Sequence, residues 1–229
     1  MGQVFDVNIP ELITDASFGA LRSSMRPLEY KSEDGVLGGH YRMSFGYSST
    51  AAKPAGGSDI MSLRWADSRF LFVLMRLELW IVTTTPYTAS LNQDAALYRA
   101  TGFSVAASAG TQIQPVAAGL QRMRPSQMAD PLLASGGGLL WVSSGDLLTV
   151  GTRTLDTQPM GYGAWLNAIT PPNLPSMVTL FEAWPEKGEH PLILGPNEGL
   201  VVQTPIGNGQ AAGVSKFTFV MQWALVPVY

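Results

Sequence analysis

From Ser215 to Leu225 the chain alternates without a break. Phe217, Phe219, Met221, Trp223 and Leu225 fall on one side, and Lys216, Thr218, Val220, Gln222 and Ala224 on the other. A period of two sends successive side chains to opposite faces of an extended strand, so this segment buries one face and turns the other outward. Five large apolar side chains, each worth roughly 1.5–3 kcal/mol on leaving water, make it an anchor of the core and a half-buried antiparallel strand.

The same period recurs upstream. Tyr41, Met43, Phe45 and Tyr47 alternate through Tyr41 to Tyr47, and Phe70 to Thr84 is rich in β-branched and aromatic residues. In that long segment Leu77, Leu79 and Ile81 share one face, and Arg76, Glu78 and Trp80 share a partly polar outer one. Ile60 to Trp65, Ala95 to Val105, Leu139 to Ser143, Thr149 to Leu155 and Met177 to Ala183 are further strands by the same criteria. Pro191 to Leu194 and Leu200 to Thr204, separated by Gly195-Pro196-Asn197-Glu198-Gly199, read as a hairpin. Tyr87 to Ala100 is the one stretch with helix-forming composition, and its end runs into Gly102-Phe103, which favours a strand.

About eight to ten strands follow from these signals, separated by turns rich in Gly and Pro. Long irregular stretches are expected at Lys31 to Gly39, Ser48 to Ser58, Gln112 to Ala134 and Gln158 to Pro175. Residues 1–35 carry more charge and fewer β-branched runs than the rest, so the expected organisation is an N-terminal extended arm, 1–35, and one β domain, 36–229. Met1 to Pro10 lacks the basic and apolar regions of a secretory signal, and the apolar run beginning at Phe70 is broken by Arg76 well short of a membrane span.

Chemistry is scarce. With no Cys there is no disulfide, thiolate metal site or Cys nucleophile. His40 and His190 are the only histidines and stand in no HxxxH or HExxH spacing; a metal site would need both, plus carboxylates such as Glu189 or Asp34. No serine sits in GxSxG, and neither Gly38-Gly39 nor Gly136-Gly137-Gly138 completes a phosphate-binding pattern. Glu182, Glu186 and Glu189 around Trp184 form a carboxylate–aromatic group that a sugar-cleaving or sugar-binding cleft would use, while a solvated acidic loop is the simpler reading. The expectation is a non-enzymatic protein with no cofactor and no metal.

Charged residues are 14% of the chain, against roughly 25% for an ordinary soluble domain, and the net charge is −3. Such a balance offers no broad attraction to nucleic acid or anionic lipid. It also leaves little charge to cover a surface, although ten Met, six Trp, seven Tyr and nine Phe must be placed. Arginine outnumbers lysine ten to four, and contact surfaces between subunits are poor in charge but enriched in aromatics, Met and Arg. Self-assembly is the physical inference, and Arg22, Arg26, Arg122, Arg124 and Trp184 are the candidate interface residues. Nucleic-acid contact by Arg122 and Arg124 is the sharper alternative, weakened by the lack of a basic stripe with interleaved aromatics.

Leu63-Arg64-Trp65-Ala66-Asp67, the string Leu148 to Pro159 containing Gly151-Thr152-Arg153-Thr154-Leu155-Asp156, His190 to Leu194, Asn197 to Val202 and the closing strand occur in this order. Together they resemble a group of tailed-bacteriophage virion structural proteins, over roughly Tyr41 to the C-terminus. The resemblance implies an all-β antiparallel β-sandwich, jelly-roll-like, acting as a capsid cement or decoration protein. On that expectation the chain is made in the host cytoplasm and sits on the capsid surface. It would form a homotrimer and bridge the major capsid protein, with no direct nucleic-acid or membrane contact. A tail or head-fibre module that binds a receptor or glycan is the alternative, and a hydrolase using Glu182 or Glu186 the least favoured.

Overall fold

The computed structural model describes residues 13–14, 21–22, 39–49, 58–87, 91–115, 120–122, 132–133, 137–143, 148–167, 175–183, 190–205 and 213–228. Strands account for its regular structure, and the described residues contain no helix. In chain order the strands are β1 Ile13–Thr14, β2 Leu21–Arg22, β3 Gly39–Ser49, β4 Ser58–Trp65, β5 Phe70–Thr85 and β6 Leu91–Thr101. The short strands β7 Thr111–Gln112, β8 Gln121–Arg122, β9 Gly138–Val142 and β10 Thr154–Leu155 follow. The chain then forms β11 Gly161–Asn167, β12 Ser176–Glu182, β13 Leu192–Leu194, β14 Glu198–Thr204 and β15 Val214–Pro227.

Eight of these have seven or more residues: β3, β4, β5, β6, β11, β12, β14 and β15. One sheet orders four of them β12-β5-β15-β3, and the other orders the rest β11-β6-β14-β4, all antiparallel. Counted along the chain, first pairs with eighth, second with seventh, third with sixth and fourth with fifth. That is a long hairpin rolled up on itself, the topology of a jelly roll. The antiparallel sandwich expected from the sequence is therefore present. β9 and β7 extend one sheet beyond β4, and β8 extends the other beyond β3.

The core lies between the sheets. Phe217, Phe219, Met221, Trp223 and Leu225 all point inward, each at most 5% exposed, so the inner face read from the sequence is the buried one, although Ala224 of the other face is buried as well. Their cross-strand neighbours are Tyr47, Phe45, Met43, Tyr41 and Gly39 on β3. Ring pairs run along this ladder: Tyr47–Phe217 at 5.1 Å, Phe45–Phe219 at 5.5 Å and Tyr41–Trp223 at 5.5 Å, with Phe72–Trp223 at 6.0 Å and Trp65–Phe72 at 5.4 Å carrying it to the facing strands. Each such pair adds roughly 0.5–1.5 kcal/mol beyond the area it buries.

Four local expectations are revised. Pro191 to Thr204 is not a hairpin: β13 pairs with β5 in one sheet, while β14 pairs with β4 and β6 in the other. The turn between them carries the chain from sheet to sheet, with Asn197 in the left-handed region at φ 61°. Only Thr154–Leu155 of the expected strand Thr149 to Leu155 is regular strand, with Thr149 contributing a single bridge to Ser108. The strand expected at Ala95 to Val105 lies earlier, at Leu91–Thr101, because Gly102 turns out of it at φ +59°. The stretch Gln158 to Pro175, expected to be irregular, contains β11.

Candidate assembly surface

Of the five interface candidates, Arg22 lies in β2 and Arg122 in β8, where it is the register partner of Tyr41. Their side chains, and Arg26, Arg124 and Trp184 altogether, lie outside the described residues, as does most of the proposed arm. Glu186 and Glu189 lie outside them too, while Glu182 ends β12.

Five of the ten exposed large apolar side chains among the described residues, Trp80, Val82, Tyr162, Leu166 and Met177, lie on β5, β11 and β12 at one edge of the sandwich. Here β11 of one sheet lies against β12 of the other. A side chain at Gly161 would collide with the Leu180 carbonyl and one at Gly163 with the Val178 side chain, so two glycines permit this approach. On the outer side of β11 stand Tyr162 and Leu166, 54% and 60% exposed; Met177 of β12 is 49% exposed. Next in the sheet, directly opposite Met177, is Trp80 of β5, followed along the strand by Val82. Their outward neighbours include the uncharged, exposed Ala164, Thr179 and Thr218, and two charged residues: Lys216, directly opposite Val82, and Asp94, which accepts a hydrogen bond from the Tyr162 hydroxyl at 3.1 Å. Sequence reasoning placed Trp80 on the outer face but did not single it out. The alternation of β11 was obscured because glycine fills two of its inward positions.

Beside this apolar edge the outer face becomes polar. Arg76 pairs with Glu78 at 2.5 Å and approaches Glu182 at 3.4 Å, and Glu78 is 4% exposed although it faces outward. The aromatic Trp80 is thus followed, two and four residues back along β5, by a carboxylate and a guanidinium.

A second feature covers the outer face of the other sheet. Thr149 to Asp156 lies across it, over the loop that starts at Gly102. Arg153 bonds Asp59 at 2.5 Å, with 3% and 0% of the two side chains exposed. The Gln203 amide donates to the other Asp59 oxygen at 2.9 Å, and the guanidinium lies 5.6 Å above the Phe103 ring. Burial lifts the Asp59 carboxyl above its ordinary value, opposed by the charge of Arg153 and the hydrogen bonds from Gln203 and Arg153. The string that carries the sequence resemblance is thus tied down by a buried ion pair.

His40, half-buried on β3, lies 3.0 Å from the Gln222 amide nitrogen, and burial lowers its pKa below 6.5. His190 is exposed and precedes β13. Among the described residues no three His, Asp or Glu side chains are grouped to hold a metal ion, and no helix is long and apolar enough to cross a membrane.

No protein-family model and no curated protein matches the chain. Among solved structures, those of infectious bursal disease virus, Gt and Gx strains, align with 96% of this chain at 17% and 14% identity and TM-scores of 0.18 and 0.17. The chain spans about half the length of the chains it matches, 45% and 46%. At those scores the likeness carries no argument about fold or function.

Proposed function

We propose that the protein is a non-enzymatic structural component of a bacteriophage virion, a capsid cement or decoration protein that self-associates and bridges neighbouring shell subunits. The observation that carries this reading is the exposed apolar side chains that border the β11–β12 edge, Tyr162 and Leu166 on the outer face of one sheet and Met177, Trp80 and Val82 on the outer face of the other. Exposed Met, Tyr and Trp are residue types enriched in the contact cores between subunits. The phage-like strings of the sequence add the virion setting; a jelly roll is used by capsid proteins and lectins alike, so fold alone does not choose between them. Repeated over a symmetric shell, weak contacts at each copy sum to a strong clamp. The reading predicts stoichiometric incorporation into particles. The N-terminal arm is the candidate for reaching over a neighbouring subunit, so deleting residues 1–30 lowers occupancy on purified shells, and unchanged occupancy and shell stability reject that role.

One observation favours a second reading, a glycan- or receptor-binding module. Trp80 is 41% exposed beside Arg76, Glu78 and Glu182, an aromatic plate next to planar polar groups. Glycan-array binding that is lost in Trp80→Ala supports this reading, and absence of binding by the parent protein rejects it.

A further inference from the structure

We infer that Thr149 to Asp156 forms a strap that lifts from the sandwich as a unit, and that the Arg153–Asp59 ion pair is its fastener. The strap is not built into the main core. Leu155 packs on a separate small cluster of Ala100, Phe103 and Val201, on the opposite side of the sheet from the main core. Its regular pairing with the sandwich is two residues long, Thr154 with Thr101 and Leu155 with Ala100, continued by the Asp156 amide donating to the Arg99 carbonyl at 3.0 Å. Toward the loop below it makes the Ser104–Thr152 hydrogen bond at 3.1 Å, which the Ser104 amide shares with the Gly102 carbonyl at 2.8 Å, and the reciprocal Ser108–Thr149 pair at 3.1 and 2.9 Å.

Phe103 stays with the sheet when the strap leaves. Its amide donates to Asn197 and its carbonyl accepts from Arg64 Nε. What lifts is therefore a short segment with little apolar area and one strong tie. Arg153 Nε and Nη1 are buried and make no hydrogen bond, so the guanidinium gives up hydration that lifting would restore. Breaking a buried ion pair by changing one partner strands the other charge, unless that charge can reach water. Here it can, because the Arg153 side chain leaves with the strap. The penalty then falls on closure of the strap and not on the sandwich, which is the behaviour of a local opening unit.

Native-state hydrogen exchange on the full chain tests this. In the unaltered protein, the amides of Ser108, Thr149 and Asp156 are expected to exchange at least tenfold faster than those of β5 and β15, with little dependence on denaturant. Asp59→Asn should speed exchange at these three amides at least tenfold further and leave β5 and β15 unchanged. Arg153→Gln should do the same. Exchange of the three amides only with global unfolding, in the unaltered protein, overturns the inference, as does a variant that accelerates strap and sandwich equally. The measurement on the unaltered chain decides the question even where a variant fails to fold.

Discussion

Met177 and Trp80 face each other across the β12–β5 ladder on the outside of the sandwich, 49% and 41% exposed. Neither contributes to the core between the sheets, yet each keeps close to half its surface in water. Replacing either with a charged residue therefore removes little folding energy, since surface changes of this kind stay within about 0.5 kcal/mol. The expected outcome for Met177→Glu is an unchanged melting temperature with weakened self-association by analytical ultracentrifugation. A variant that unfolds would show that Met177 is a folding residue.

The β11–β12 edge depends on an absent side chain. Gly163→Val places a branched side chain against Val178, and overpacking of this kind costs about 1–3 kcal/mol. Gly102→Ala meets nothing within 4 Å but sits at φ +59°, so its cost is backbone strain of roughly 1 kcal/mol. Urea titrations of the two variants should rank Gly163→Val as the more destabilised, and the reverse ranking would contradict the close approach of these strands.

The glycines of β11 also show what could be read in advance. The burial pattern of β15 was legible because five successive inward positions, 217 to 225, hold large apolar residues. That of β11 was not, because Gly161 and Gly163 replace side chains that would have marked its inner face. In β5, Phe72 and Leu74 point inward with Leu77, Leu79 and Ile81, a change of parity. The ladder absorbs it in a bulge at Met75, between the pairs Gln222–Arg76 and Trp223–Leu74. A period-two reading cannot locate such a bulge. The sheet change at Gly195–Glu198 was hidden for a different reason, because turn chemistry is the same whether the next strand pairs beside the last or crosses to the facing sheet.

The candidate site was less legible than the fold. Arginine abundance pointed to interfaces, but Arg64, Arg76, Arg99 and Arg153 are engaged within the chain, with Asn197, Glu78, Glu198 and Asp59. Composition does not separate an arginine that binds a neighbour from one that binds its own fold.

Acid should weaken the protein in two windows. Burial lowers the folded pKa of His40, so the unfolded chain binds its proton more readily. The stability held by neutral His40 is fully present above about 6.5 and is lost as pH falls below that value. Asp67, held down mainly by the Arg69 side chain, acts later: its contribution is present above pH 3.8 and is lost as pH falls through its lower folded value. Denaturant midpoints at pH 7.5 and 5.0 should converge in His40→Gln relative to the parent. An equal drop in both proteins would place the sensitivity elsewhere.

Phe219 stacks on Phe45 and has no exposed surface. Phe219→Ala is expected to cost about 3–5 kcal/mol, read as a shift of the denaturant midpoint at unchanged slope. A loss below about 1 kcal/mol would mean that this position collapses without leaving a cavity.

The central claim is that the Tyr162–Leu166–Met177–Trp80 edge is a contact between copies of this chain. Multi-angle light scattering of the full chain and of the Leu166→Glu, Met177→Glu double variant tests it most directly. The account predicts a discrete oligomer, three chains in mass, for the parent and a folded single chain for the variant. A parent that is monomeric at tens of micromolar, or a variant that keeps the parent's mass, would contradict it.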